Sequence, residues 1–309
     1  MTNQAPTAGV HSIDHFALTV PDVAKAAHFF DAFGLTVKQT GDSLELYAAD
    51  GHRWGRILPG AAKSLAYLSL NCYEADYDTL TRQIRSAGAT QVKPGDSWAN
   101  DTGYWFRDPD GNLVQVKPGP KTMPDEKTPN ARIDIPANQR GSNSRGADGK
   151  VHPRRLSHVL LFTTDVLRSL DFYEKAVGLK LSDRSQDIIA FTHGRHGSDH
   201  HLLAFVKSSA KGWHHSAWDV DGVDHVGRGH AQMAAAGYTE GWGTGRHVLG
   251  SNYFYYARDP WGSFAEFSAH IDYIAKGYEW PSGDHPPEDS LYQWGPDVPP
   301  YFIQNTETA

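Results

Sequence analysis

Hydrophobic and polar positions along the chain follow one order that occurs twice. A β-rich run, His15-Phe16-Ala17-Leu18-Thr19-Val20-Pro21-Asp22, ends at an Asp seven residues after its His, and His158-Val159-Leu160-Leu161-Phe162-Thr163-Thr164-Asp165 does the same. Each run predicts a strand. An amphipathic helical pattern follows, over 24–33 and 168–177, and stops at Gly34-Leu35 and Gly178-Leu179. The glycine sits where a helix C-cap belongs. A second helical pattern recurs at 77–87 before Gly88 and at 225–236 before Gly237. Each half then closes on an aromatic strand-like run, Gly103-Tyr104-Trp105-Phe106 or Tyr253-Phe254-Tyr255-Tyr256. An Arg-Asp-Pro-x-Gly turn comes next, from Arg107 to Gly111 and from Arg258 to Gly262, and leads into a last strand.

The chain therefore reads as an internal duplication of an α+β unit, over 11–118 and 154–270. Between the units lies a polar stretch, 118–153, rich in Gly, Ser and Pro, as expected of a linker or surface excursion. The tail, 271–309, is rich in Pro, Trp and Tyr, too aromatic for pure disorder, and is expected to pack back on the body.

Composition narrows the function classes. A length of 309 residues suits two domains, and 39% apolar with 21% charged residues excludes wholesale disorder. No apolar run approaches the ~18 residues of a membrane span. The start, Met1 to Val10, is polar and carries no secretory signal pattern. A single cysteine, Cys72, cannot form an internal disulfide and suits a reducing compartment, so a cytoplasmic location is expected. The net charge of −7 argues against nucleic acid as a partner.

Histidine changes the picture. The chain has 17, and nine of them lie between His193 and His247. His is both the common metal ligand and the common acid/base near neutrality. In the second unit, His158 opens the first strand, His215 opens another within Trp213-His214-His215-Ser216-Ala217-Trp218, and Glu266 lies in the last strand. Two His and one carboxylate form the facial triad of non-haem Fe(II) oxygenases, which leaves positions open for substrate and O2; the same donors can hold Mn(II). The first unit is a control within the same chain. It has Gln115 where Glu266 stands and Leu65-Ala66-Tyr67-Leu68 where His215 stands, and only His15 matches His158. If Glu266 points inward, Phe264 and Ser268 share its face.

The order and spacing of several segments carry a resemblance. They are the His158 strand, His215-x-x-Trp218-Asp219-Val220, Gly245-Arg246-His247, and Tyr256-Ala257-Arg258-Asp259-Pro260-x-Gly262 running on to Glu266. Over about 11–270 the chain resembles two-domain type I extradiol ring-cleavage dioxygenases of the vicinal oxygen chelate superfamily, which also holds glyoxalases and bleomycin-resistance proteins. The resemblance implies paired βαβββ modules, each module a partly open barrel, with the metal inside the C-terminal module. It implies an Fe(II) enzyme that opens a catechol ring beside its two hydroxyls, placing both atoms of O2 in the product, and that forms a homo-oligomer. By position it makes His201, in Asp199-His200-His201-Leu202, the acid/base residue, and His247 and Tyr256 the groups that contact the bound substrate oxygen. His214 and His200 are the neighbours that could be mistaken for His215 and His201; spacing to the following strand selects the second of each pair.

Other features read more plainly. His225 and His230 fall on a helix pattern and are expected at the surface, and His193 and His196 in a turn or at the surface. Cys72 reads as a buried strand residue. Trp213, Trp242 and Trp261 fit a pocket wall or ordinary packing equally well, and His285 and Trp294 are candidates to cover a pocket mouth. The rival readings are a glyoxalase-like or 2-oxo-acid-type dioxygenase and, in another class, a metal-free drug-sequestering module.

Overall fold

The computed structural model describes residues 8–93, 102–130, 134–144 and 146–307. Residues 1–7 of the polar start, and 131–133 and 145 of the linker, lie outside the described residues. The first unit comprises β1 (Ser12–Val20), α1 (Val23–Phe33), β2 (Thr36–Thr40), β3 (Ser43–Tyr47), β4 (Arg53–Pro59), β5 (Ser64–Cys72), α2 (Glu74–Ser86), β6 (Tyr104–Arg107) and β7 (Leu113–Pro118). The second comprises β8 (Arg155–Thr163), α3 (Val166–Val177), β9 (Lys180–Ser185), β10 (Ile189–His193), β11 (Ser198–Asp199), β12 (Leu203–Lys207), β13 (Gly212–Asp219), α4 (Val223–Ala235), β14 (Gly241–His247), β15 (Tyr253–Arg258) and β16 (Phe264–Ala269). The tail adds β17 (Tyr273–Ile274), β18 (Tyr292–Trp294) and 3-10 turns at Pro287–Asp289 and Pro300–Ile303. No described helix is long and apolar enough to cross a membrane.

The duplication is visible in the strand pairing. The first sheet runs β2-β3-β4-β1-β5-β7-β6; the second runs β9-β10-β12-β8-β13-β16-β15 in the same order and adds β14 and β18. In each, the opening strand pairs parallel with one neighbour (β4 or β12) and antiparallel with the other (β5 or β13). Both are mixed sheets curled into half-barrels.

Local chemistry explains the shared starts. Asp22 and Asp165 cap α1 and α3 by accepting the backbone N–H of Lys25 and Arg168. Gly34 and Gly178 end these helices in the left-handed region, at φ 102° and 72°. Helices α2 and α4 begin a few residues before the expected 77 and 225, because Glu74 and Val223 already belong to their first turns. Strand β14 was hidden in the sequence by Gly241, Gly243 and Gly245. A Cβ at Gly241 would lie 2.1 Å from the Tyr256 carbonyl oxygen, so the close approach of β14 to β15 requires glycine there.

Helices of one unit pack on helices of the other, α1 with α4 and α2 with α3. Phe33 of α1 stacks on Phe267 of β16 with ring centroids 3.9 Å apart. Phe267 thus faces the shared core, and its neighbour Glu266 faces the opposite side of the sheet, the inside of the half-barrel. Cys72 is fully buried at the end of β5, as expected of a strand residue. Among its described residues the stretch from 119 to 154 has no helix or strand, but Met123 and Val151 are buried against the body.

Candidate metal centre and cavity

Three strands of the second sheet carry the central groups: His158 on β8, His215 on β13 and Glu266 on β16. Adjacent pairing of β8, β13 and β16 sets Ala217 opposite both His158 and Glu266. His215, two residues earlier on β13, shares their face. One ligand-type atom from each lies within 4.8 Å of the others. Glu266 Oε2 is 3.3 Å from His158 Nε2 and 3.5 Å from His215 Nε2. All three side chains are buried.

Two β-bulges aim the histidines. The register of β8 on β13 skips Ser157 before His158 and His214 before His215. A bulge turns an extra side chain toward its neighbour's face. Ser157 donates its O–H to Asp199 Oδ2 at 2.6 Å, and its oxygen lies 3.2 Å from His158 Nδ1. Asp199 is itself gripped by both terminal nitrogens of buried Arg155, at 2.8 and 3.0 Å. Ser157 can therefore only accept from His158, which places the His158 proton on Nδ1 and a lone pair on Nε2.

Electrostatics then favour a cation. Burial pushes the Glu266 carboxyl up to about 7 and His158 down to about 3, and holds His215 well below its usual range. Glu266 Oε2 and His215 Nε2 are buried without a hydrogen-bond partner. Converging acceptor atoms with no donor between them repel one another unless a cation or a proton lies among them. The donor set, two imidazoles and one carboxylate, fits a divalent transition-metal ion.

The other site residues expected from the sequence surround a cavity of about 260 Å³ that also reaches His158 and His215. His201, His247 and Tyr256 all line it. His201 packs on His158 with ring centroids 3.9 Å apart. Its Nδ1 lies 3.1 Å from Nδ1 of His200, whose Nε2 donates to Asp183 Oδ2 at 2.8 Å. Against its burial, hydrogen bonds from His200, His285 and Gly283 hold the Asp183 carboxyl down at about 2, so it accepts only. Burial holds His201 well below its usual range, so its ring is neutral, and its Nδ1 and that of His200 hold one proton between them. His247 donates Nδ1–H to the Leu291 carbonyl at 2.6 Å, leaving Nε2 to accept the Tyr256 hydroxyl at 2.9 Å. The Nδ1–H of His247 is thus turned to the tail backbone, and its Nε2 faces Tyr256.

The family model of the Glyoxalase/Bleomycin resistance protein/Dioxygenase superfamily matches residues 12–116 and 155–267. The chain belongs to this superfamily. It is 61% identical over 309 residues to a protein named metapyrocatechase 2 from Cupriavidus necator, covering 99% of this chain and 96% of that one. Its fold is similar to that of a Mn(II)-bound glyoxalase from Novosphingobium aromaticivorans, with TM-score 0.73, 23% identity and coverage of 98% of this chain and 100% of that chain. It is also similar in fold to an extradiol ring-cleaving dioxygenase from B. fuscum, with TM-score 0.76, 18% identity and coverage of 99% and 84%.

Several residues of this superfamily member play parts that the sequence did not reveal. Asn252, between the His247 and Tyr256 segments, donates to Glu266 Oε1 and to Ser268 Oγ, each at 2.9 Å. Ser157, His200 and His214 hold the histidines, although in the sequence the two His are only the neighbours of His201 and His215. His193 is buried at the end of β10, not at a turn or surface, because the strand extends to it and Ser182 Oγ lies 2.8 Å from its Nδ1. His196 is partly buried against Asp76, at 3.1 Å. His225 and His230 lie on α4, half-buried and away from the cavity.

No tryptophan is among the cavity's described lining residues; Trp213 and Trp242 pack in cores. The tail does reach the mouth, but through Pro287, Ser290, Leu291, Phe302 and Ile303. His285 instead binds Asp183 at 2.8 Å, and Trp294 is exposed on β18.

Proposed function

We propose that this superfamily member is an extradiol dioxygenase that opens the ring of a catechol-type aromatic with O2, with His158, His215 and Glu266 holding the metal and Fe(II) as that metal. The observation that carries the reading is the convergence of His158, His215 and Glu266, the two histidines lining the same cavity as His201, His247 and Tyr256. A metal-free sequestering module has no use for unpartnered buried acceptors. The 61% identity to metapyrocatechase 2 points to the same activity. Mn(II) would satisfy the same donors.

A divalent metal bound there supplies Lewis acidity to the catechol oxygens and, as Fe(II), electrons for O2 chemistry. The chain's own residues do the rest. His201, a neutral imidazole where it is buried, takes a proton from a catechol hydroxyl and can return it to a developing oxygen anion. Tyr256 and His247 share one proton beside the metal ligands, available to a substrate oxygen. Asn252 holds one oxygen of Glu266 and leaves the other free.

The rest of the cavity bears on the ring substituent. Leu160, Phe162, Ile189, Phe191, Val206 and Leu249 line it, and no Lys or Arg is among its described lining residues. An uncharged, apolar substituent is favoured, because a carboxylate would lie there without a partner. The unit 154–270 is then the catalytic module, 11–118 its partner without a complete metal site, and 271–309 a tail that closes the cavity. Assembly into a homo-oligomer in the cytoplasm completes the reading, on family membership and the lone Cys72.

The test is O2 uptake with simultaneous absorbance, on protein purified without air and loaded with Fe(II) or Mn(II), against a panel of catechols. One O2 consumed per catechol, with a new yellow chromophore, is expected. No uptake with any catechol at full metal occupancy would overturn the reading.

A further inference from the structure

His214 is fully enclosed and hydrogen bonds at both ends of its ring. Its Nδ1 lies 2.7 Å from Nδ1 of His215, and its Nε2 lies 2.9 Å from the carbonyl oxygen of Phe302. A carbonyl only accepts, so the His214 proton is on Nε2. His214 is buried and its hydrogen-bond partners are an imidazole and a carbonyl, with no carboxylate to balance a charge, so the ring is neutral and its Nδ1 carries a lone pair. His215 must then donate from its own Nδ1, which leaves His215 Nε2 as the free acceptor facing Glu266.

We propose that His214 is a positioning residue through which the Phe302 carbonyl of the C-terminal tail holds His215 in its metal-binding tautomer. The proposal rests on the reading of His215 as a metal ligand. It makes residues outside both duplicated units part of the metal centre.

Two further observations support it. The tail around Phe302 is anchored to the body: Asn305 donates to the carbonyls of Ala210 and Lys211 at 3.0 and 3.1 Å, and Glu307 pairs with buried Lys63 of the first unit at 2.7 Å. The Phe302 carbonyl is therefore a fixed acceptor. The first sheet has the same bulge, which skips Ala66 before Tyr67 just as the second skips His214 before His215. Where the ligand is absent, the imidazole behind it is absent too. Had His214 been needed only to form the bulge, Ala66 shows that alanine suffices.

The test reads metal affinity directly. Metal-free full-length protein is titrated with Mn(II), and the unbound ion is followed by electron paramagnetic resonance. His214→Phe, which fills the space but cannot accept a hydrogen bond, is expected to weaken Mn(II) binding about 10–100-fold. His214→Asn, whose Oδ1 stands near the place of Nδ1, is expected to recover most of that loss. Equal loss in both variants would overturn the proposal, because packing rather than tautomer would then be responsible. Wild-type affinity in His214→Phe, with binding lost in Glu266→Ala, would overturn it while sparing the metal reading. Unchanged binding in both His214→Phe and Glu266→Ala would overturn the metal reading itself, and the proposal with it.

Discussion

The Nε2 atom of His15 is hydrogen bonded to the Tyr67 hydroxyl at 2.8 Å. In register, His15 corresponds to His158 and Tyr67 to His215, so the first half-barrel closes with a direct bond the gap that the second leaves open. Gln115, at the place of Glu266, is likewise engaged: Ser69 donates to its Oε1 at 2.7 Å, and its Nε2 donates to the Thr102 carbonyl at 2.6 Å. Elemental analysis of the purified protein should find one transition metal per chain. Gln115→Glu should leave that stoichiometry intact, whereas Glu266→Gln should lower it at least tenfold. Metal loss from Gln115→Glu would move the site out of the second unit.

Glu266 should make metal-free protein sensitive to pH. Its folded pKa of about 7 lies above the usual carboxyl value of 4.5, so the unfolded chain holds fewer protons between these limits. The contribution of Glu266 to stability therefore falls as pH rises from about 4.5 to 7, by roughly 3 kcal/mol at most. Buried His158 and His214, lowered to about 3, make both proteins gain stability over this window, so urea unfolding of metal-free wild type and Glu266→Gln should show the wild type losing stability relative to the variant as pH rises. Added Mn(II) should abolish it. A wild-type profile parallel to that of Glu266→Gln would mean the carboxyl is not held in this environment.

Loss of His201 should separate chemistry from metal binding. His201→Phe is expected to lower kcat by about 10²–10⁴-fold with metal content unchanged. Asp183→Asn, which loosens His200 behind it, should lower kcat by a smaller factor with little change in KM. Steady-state O2 uptake alongside metal analysis gives both values. Metal loss in His201→Phe would reassign the residue as a ligand.

The apolar wall around Leu160, Phe191 and Leu249 predicts a substrate ranking. One buried methyl group adds about 0.8 kcal/mol, or roughly four-fold in kcat/KM. Methylcatechols should therefore match or exceed catechol, and dihydroxybenzoates should be turned over far more slowly. Competition assays on mixed substrates measure the ratios. A preference for the carboxylated ring would require a cation in the cavity that the described lining residues do not supply.

How much of this was legible follows from where each signal resides. Helix caps at Asp22, Gly34, Asp165 and Gly178 act within a few residues, so local sequence announced them. Internal duplication exposed His158, His215 and Glu266, because an otherwise similar repeat carries different residues at two of the three places. Strand β14 was not legible, because its glycines answer to the backbone of β15, a partner remote in sequence. Nor was Asn252, whose only visible mark is its place between two family segments.

The chain by itself determined the twofold αβ plan and the donor types, since periodicity, capping and repeat differences are written in neighbouring residues. Only the tertiary structure decided which atoms of those donors are free. Tautomer and lone-pair direction depend on acceptors brought in from elsewhere: Asp199 behind Ser157, Asp183 behind His200, and the Phe302 carbonyl behind His214. Those partners lie 17 to 88 residues away along the chain, and nothing in a short sequence motif specifies a hydrogen bond across that span.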